Sequence, residues 1–427
     1  MDLELVTVGT ELLLGFTVDT NAAEISRALA TVGARVVRRV TVGDDPAPLR
    51  DAVAGALRRS RFVVITGGLG PTSDDITRRT VAELFRLPLD LDEGYVREIE
   101  ERFRRYRHQE MPPSNRSQAE VPRGAVRLHN RRGTAPGLVI DGPLGTAVLL
   151  PGVPGEMRQI LHDHVVPLVR QRVRSGAGRS ATIRSRTLRT TGVTESGLAD
   201  LVGPMEADLD GATLAYLPGW DGVDLRLTVW GMDESAADRA LDGAARKLIR
   251  MLGDRYYGVD DDDLGAAVLG ALRAAGKTVA VAESCTGGLI CGRLSAVPGA
   301  SDVFAGGVIA YANAAKVAEL GVRPEVLERE GAVSEAVARS MAEGAVRRFG
   351  TDAAVAVTGI AGPGGGTPEK PVGTVWLAAT AGGRTEALQR RFPGGRDEVR
   401  HRSAQAALDL LRRLLTGDLA SAADPAT

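Results

Sequence analysis

Lysine is nearly missing from this chain: four residues of 427, where lysine and arginine together number 53. A guanidinium stays protonated at any working pH, whereas an ammonium can be desolvated into a neutral base. Where arginine supplies almost every cation, a retained lysine is a candidate for chemistry that arginine cannot do. Aromatic residues are also scarce, at 4%, which argues against a platform on which nucleic-acid bases stack. The two cysteines, Cys285 and Cys291, stand six apart in one motif region. That spacing suits neither a disulfide framework nor a zinc knuckle, and free thiols fit a reducing cytoplasm. No apolar run approaches the ~18–20 residues that span a bilayer, and Met1-Asp2-Leu3-Glu4 lacks the basic start of a signal peptide. The expectation is a soluble cytoplasmic protein. A formal net charge of −1 provides no global field to steer the chain onto nucleic acid or anionic lipid.

What is present is apolar material for several cores, 44% of residues, in a length that suggests two to four domains of ~100–200 residues each. In residues 1–172, short apolar runs (Leu3–Val8, Arg61–Thr66) end in glycine-rich turns. They alternate with helical stretches (Thr20–Val32, Pro48–Arg59), the pattern of a parallel sheet covered by helices. Tyr95–His108 mixes arginines with Glu98, Glu100 and Glu101 and reads as a solvated helix, not a nucleic-acid patch. Arg172–Ser180, rich in Arg, Ser and Gly, reads as a linker. Residues 181–254 read as a small α+β module: strand Arg184–Thr190, helix Glu195–Leu209, a hairpin of Thr213–Leu217 with Val223–Trp230, and helix Glu234–Leu252. The hairpin turn holds Gly219-Trp220-Asp221-Gly222, a formal match to the GXXG of KH modules. Acid rather than base flanks it, so a plain turn is the better reading. Asp260–Asp263 marks the next boundary, and residues 264–416 return to alternation. The strand-like runs there are Thr278–Glu283, Val303–Tyr311, Ala353–Thr358, Thr374–Thr380 and Glu386–Phe392, and Thr416–Thr427 reads as a frayed tail. The expected fold class is α/β, with two three-layer domains joined by the α+β module.

Three reactive side chains, Ser284, Tyr311 and Thr358, fall at the carboxyl ends of predicted strands, and Lys316 follows shortly after Tyr311. In open α/β sheets the crevice outside those strand ends is where ligands bind. Ser284 precedes Thr286-Gly287-Gly288, where a helix begins, and N–H groups at such a start can hold an oxyanion or a phosphate. Thr358 precedes a loop containing Gly362, Gly364 and Gly365, whose backbone a ligand can approach closely. A serine nucleophile needs a base. Four of the five histidines lie in the first domain and His401 in a late helix, so Lys316 is the candidate in the motif region. A Ser-Lys dyad is a recognised variant of the triad logic, provided that burial lowers the lysine pKa. Cys285 is the rival nucleophile.

In the first domain, Thr66-Gly67-Gly68-Leu69-Gly70-Pro71-Thr72-Ser73-Asp74-Asp75 follows a buried-looking strand and leads into a helix. Glycines admit close approach, the helix start favours anions, and adjacent carboxylates can hold a divalent metal. Gly67, Gly68, Gly70 and Thr72 are the candidate phosphate-ligand residues, and Asp74, Asp75 and Asp44 the candidate metal ligands. Asp44 and Asp45 have an alternative role as caps of the following helix.

These motifs also carry a resemblance. Ala282-Glu283-Ser284-Cys285-Thr286-Gly287-Gly288, Gly306–Tyr311, Gly331–Glu335, Thr358–Thr367 and Lys370-Pro371-Val372-Gly373 resemble the carboxy-terminal domain of the CinA family. Val8–Leu13, Asp19-Thr20-Asn21, Val42–Asp45, the glycine loop and Pro151–Met157 resemble that family's molybdopterin-binding-like domain, and the middle module is similar to its KH-type linker. The resemblance implies nicotinamide mononucleotide as substrate of a deamidase in which Ser284 is the nucleophile and Lys316 its base. Tyr311 and Thr358 would orient the dyad or the intermediate, and one of Arg396 and Arg400 would hold the nucleotide phosphate. Ala314 departs from relatives that carry an acidic residue before Ala-Lys. For the first domain the resemblance implies hydrolysis of ADP-ribose to AMP and ribose 5-phosphate with a divalent cation, Asp75 aligning with the aspartate of the wider molybdopterin-biosynthesis family. A homodimer is also implied. The alternative is a non-catalytic nucleotide- or pterin-binding protein linked to competence or the DNA-damage response.

Overall fold

Phe-Val-Val-Ile-Thr at positions 62–66 is buried at every residue, the signature of a strand covered on both faces. In the computed structural model, which describes residues 1–107, 109–176 and 182–417, it lies inside a six-stranded sheet. The strands are β1 (Asp2–Val8), β2 (Arg35–Val42), β3 (Phe62–Thr66), β6 (Val126–Leu128), β7 (Gly137–Gly142) and β8 (Gly145–Leu150), in the order β2-β1-β3-β8-β7-β6. A separate two-stranded ribbon pairs β4 (Leu89–Leu91) with β5 (Glu120–Pro122). Side chains alternate between two cores: Leu3, Leu5, Phe62 and Val64 face one, and Val6, Val8, Val63 and Ile65 the other. That is the expected three-layer arrangement. The sheet is not wholly parallel, however. β1, β2, β3 and β8 run parallel, whereas β7 pairs antiparallel with β8 and β6 antiparallel with β7.

The middle module forms a four-stranded sheet of β9 (Thr182–Thr190), β10 (Thr213–Pro218), β11 (Val223–Met232) and β12 (Tyr256–Val259), in the order β10-β11-β9-β12. β12 has no counterpart among the sequence expectations. The expected helix Glu195–Leu209 stops at Val202 and tightens into a 3₁₀ segment over Gly203–Asp208, since Pro204 cannot continue an α-helix. The linker expected at Arg172–Ser180 is helical up to Gly176; positions 177–180, like the tail 418–427, lie outside the described residues.

In the last part of the chain the strands are β13 (Val279–Glu283), β14 (Phe304–Ile309), β15 (Ala353–Gly359), β16 (Thr374–Ala381) and β17 (Arg384–Arg391), in the order β14-β13-β15-β16-β17. β13 pairs parallel with β14 and β15, while β16 and β17 close the sheet antiparallel. Alternation again separates two cores, Val279, Val281 and Val355 facing one and Ala280, Ala282 and Ala356 the other. The chain divides into two compact units, Met1–Arg184 with Val229–Arg239, and Ser185–Thr228 with Ala240–Thr427. No helix among the described residues is long and apolar enough to cross a membrane.

Candidate functional site

β13 is flanked by β14 on one side and β15 on the other, so the chain reverses its direction of winding at this strand. Such a reversal leaves a crevice outside the carboxyl end, and Ser284 is the first residue past that end. Its N–H donates to Val357 O of β15 (2.9 Å), which fixes the backbone. Lys316, on the helix Asn313–Leu320, reaches the same point: Nζ lies 3.1 Å from Ser284 Oγ, 2.9 Å from Ala310 O and 3.2 Å from Tyr311 O. The side chain is 1% exposed, and burial lowers its pKa below the ordinary lysine value. The two carbonyls can only accept. As an ammonium the side chain donates to Ser284 Oγ as well; in its neutral form it would give both N–H bonds to the carbonyls and leave its lone pair for the Ser284 hydroxyl. Cys285 is buried, and desolvation pushes its thiol up to about 12. A thiol held neutral is a poor nucleophile, which favours Ser284.

The helix predicted from Thr286 begins three residues later, at Leu289. The fully buried carboxylate of Glu283 occupies its start, accepting from the N–H of Gly288 (2.8 Å), Ile290 (3.3 Å) and Cys291 (2.8 Å). An internal anion thus takes the donors expected to hold an oxyanion or phosphate. Gly287 and Gly288 have φ of +61° and +97°, conformations that favour glycine, and they turn the chain from Ser284 into the helix.

Tyr311 lies two residues beyond β14 instead of closing it, and is exposed. Its hydroxyl accepts from Arg396 Nη2 (2.7 Å), while Arg396 Nη1 donates to Gly362 O (2.7 Å). Arg400 Nη2 donates to Thr286 O (3.0 Å). Both arginines sit on the last helix, Arg396–Thr416, one turn apart. The helix thereby ties together the loops that follow β13, β14 and β15. Thr358 does not touch the dyad: its buried hydroxyl donates to Ala332 O (2.8 Å). Gly364 and Gly365 lie in the exposed part of their loop.

In the amino-terminal unit, β1 occupies the same kind of reversal between β2 and β3. The loop after β3 turns at Gly67 (φ +108°), where a Cβ would stand 2.1 Å from Val8 O, so only glycine fits. Gly68 O accepts from the Thr77 N–H (3.1 Å). Asp75 accepts from the Thr72 N–H (2.9 Å) and Oγ1–H (2.5 Å), and a Cβ on Gly70 would touch the same carboxylate. Asp74 is exposed, and the nearby Thr72 side chain, together with its own amide, holds it below the usual carboxylate range. Asp44 belongs to a different loop and accepts from the Thr10 N–H (2.9 Å) and Oγ1–H (2.8 Å). Asp45 caps the helix Pro46–Ser60, accepting from the Ala47 N–H (3.0 Å). Among the described residues no group of three or more His, Cys, Asp or Glu side chains is gathered for a metal. Asp74 and Asp75 supply two carboxylates of one loop, a set that suits a cation held chiefly by water and substrate phosphates.

Three family models match successive stretches: a "Probable molybdopterin binding domain" over residues 4–171, a "Damage-inducible protein CinA KH domain" over 185–258 and a "CinA C-terminal domain" over 261–415. A "CinA-like protein" of Gemmatimonas aurantiaca is 51% identical over 415 residues, covering 97% of this chain and 96% of its own. The chain belongs to the CinA family. A second "CinA-like protein", from Synechococcus sp. (strain RCC307), is 45% identical over 96% of this chain and 97% of its own. A solved competence/damage inducible protein from Agrobacterium tumefaciens is 44% identical, covering 36% of this chain and 93% of its own with a TM-score of 0.35. The CinA and molybdopterin-type domains are consistent with an enzyme.

Two site residues of this CinA chain escape a reading of the sequence. Glu283 is one; its signal is a carboxylate closing the otherwise apolar run Val-Ala-Val-Ala. The other is Lys370, whose Nζ donates to Glu330 O (2.7 Å) and Val333 O (2.8 Å). With Thr358 on Ala332 O, it holds the carbonyls of the loop Glu330–Val333. The scarcity of lysine that singles out Lys316 applies equally to Lys370.

Proposed function

We propose that the chain is a bifunctional nucleotide hydrolase of pyridine-nucleotide salvage, whose carboxy-terminal domain (264–416) releases ammonia from the carboxamide of nicotinamide mononucleotide. The observation that carries this reading is the buried Lys316, with two carbonyls for its N–H bonds and Ser284 Oγ 3.1 Å away. Ser284 Oγ bonds to the carboxamide carbon as its proton passes to Lys316 Nζ. The C–N bond then breaks, Lys316 returns the proton to the leaving nitrogen, and ammonia departs from a Ser284 ester. Water attacks the ester carbon, Lys316 takes its proton and hands it to Ser284 Oγ as the ester bond breaks, and nicotinate mononucleotide is released. Tyr311 and Thr358 orient the loops around the dyad, and one of Arg396 and Arg400 meets the substrate phosphate. The test is ammonia release from nicotinamide mononucleotide by the full chain. Ser284→Ala abolishes it and Cys285→Ala leaves most of it; the reverse pattern would sink the Ser-Lys mechanism.

For the amino-terminal domain (1–172) the corresponding reading is metal-assisted hydrolysis of ADP-ribose to AMP and ribose 5-phosphate. The loop Gly67–Asp75 would receive the pyrophosphate. Asp74 and Asp75, with Asp44 from its separate loop, would offer carboxylate oxygens to a divalent cation, which when bound withdraws charge from the phosphoryl groups. A second reading, a domain that binds a nucleotide or pterin without turnover, is favoured by Asp75, whose carboxylate is already engaged by the Thr72 N–H and hydroxyl. Incubation with ADP-ribose and magnesium or manganese separates the two: AMP formation supports the first, and binding without AMP the second.

A further inference from the structure

The hairpin turn of the KH module contacts neighbours that a nucleic-acid clamp would leave free. The Trp220 indole stands 5.2 Å, centroid to centroid, from the imidazole of His401 on the last helix. Asp221 lies 3.8 Å from Arg293, on the helix Leu289–Ser295 that follows the Ser284 loop. Arg293 in turn donates to Gln405 Oε1 of the last helix (2.8 Å) and pairs with Asp263 (2.7 Å). The module grips the last helix a second time: Asp254 takes Arg413 at 2.6 Å and accepts at its carbonyl from Arg412, and Asp409 binds both arginines. These charges are about one-tenth exposed.

His401 and Arg413 are twelve residues apart, roughly 18 Å along a helix that rises 1.5 Å per residue. The helix is packed into the core at Val399, Ala404, Ala407, Leu408 and Leu411, and the two contacts add a fixed point toward each of its ends. His401 directly follows Arg400 and stands five residues after Arg396, the two side chains that reach Thr286, Gly362 and Tyr311. The Trp220 contact therefore braces the end of the helix that carries the site arginines, while Asp221 reaches the helix behind the nucleophile. The turn bears acid at Asp221, and Asp224 follows it on β11, so its chemistry repels the phosphates that a KH loop clamps.

We propose that Trp220 and Asp221 are positioning residues of the carboxy-terminal site, bracing the first turns of the last helix so that whichever of Arg396 and Arg400 receives the substrate phosphate is held in place. This rests on reading that site as a nucleotide amidase. The KH module then serves as an internal strut for substrate binding.

The experiment uses the full chain with Trp220→Ala, Trp220→Phe and Asp221→Asn. Steady-state ammonia release from nicotinamide mononucleotide is measured together with hydrogen exchange of the amides 396–403. For Trp220→Ala the expected result is a KM raised about tenfold with kcat within about twofold, the pattern of lost ground-state binding, and faster exchange at 396–403. Trp220→Phe restores both, and Asp221→Asn raises KM about threefold, as fits a partly exposed ion pair. An unchanged KM overturns the proposal, as does a loss confined to kcat that tracks the amount of folded protein. If the unmodified chain releases no ammonia, the amidase reading fails on its own, and exchange decides the bracing: protection at 396–403 that is equal in Trp220→Ala and the parent removes it.

Discussion

Both α/β units place the first strand of their sheet between the second and the third, β2-β1-β3 in one and β14-β13-β15 in the other, yet they equip the resulting crevices differently. In the carboxy-terminal unit the working groups come from separate elements and are buried, Lys316 at 1% exposure and Ser284 at 8%. In the amino-terminal unit the acids are on loops, and Asp75 is satisfied by Thr72, three residues away. On the two proposed reactions such a difference is expected. A neutral lysine base exists only if the protein removes water from it, so the fold must build that site completely before substrate arrives. A site for a cation and a pyrophosphate needs charged donors that stay hydrated, because the ligands themselves complete it.

The comparison breaks most sharply at Lys316. A general base is worth about 10²–10⁴ in rate, so Lys316→Ala should lower ammonia release by about 10³-fold. Lys316→Arg should be nearly as damaging, because a guanidinium does not give up its proton. ADP-ribose hydrolysis by the same variants should match the parent. An arginine variant that keeps a tenth of the parent ammonia release would show that Lys316 binds phosphate and is not the base.

The converse test acts on the other crevice. Asp75→Asn removes a charge that the cation needs and should slow AMP formation from ADP-ribose about tenfold to a hundredfold, in line with losses seen when groups around a metal are altered. A chelator should abolish AMP formation while leaving ammonia release intact. Ammonia release that also falls with chelation would mean that the carboxy-terminal site is not a metal-free serine amidase.

The unequal legibility of the two crevices has the same origin. Ser284 and Lys316 stand out because lysine is rare and no histidine lies in the motif region, and the fold brings them to 3.1 Å. Contacts across long separations are not readable: Arg396 with Tyr311 spans 85 residues, and nothing local in either segment announces the other. The helix after Ser284 starts later than its sequence suggests because Glu283 has two roles, ending β13 and capping the helix Leu289–Ser295 with its side chain. β7 and β8 are absent from the expected strands although Asp141-Gly142-Pro143-Leu144-Gly145 carries turn residues between two apolar runs. Arg172–Gly176 resembles a linker by composition, although arginine is a good helix former.

The smallest expected effect is on stability, and it reads the protonation of Lys316 directly. Burial holds its folded pKa below the ordinary lysine value, which is about 10.4 and applies to the unfolded chain. Between those two pKa values the unfolded state carries a proton that the folded state lacks. Stability then rises with pH through that window, and below the folded pKa the full cost of burying an ammonium is present. Lys316→Met removes the titrating group while keeping an unbranched side chain of similar length. Its unfolding midpoint should exceed that of the parent by the larger margin at neutral pH, with the margin narrowing as pH climbs toward about 10. Ammonia release by the parent should rise over the lower part of the same range, as the base loses its proton. A margin that stays constant with pH, beside a rate that rises, would mean that the titrating base is a different group.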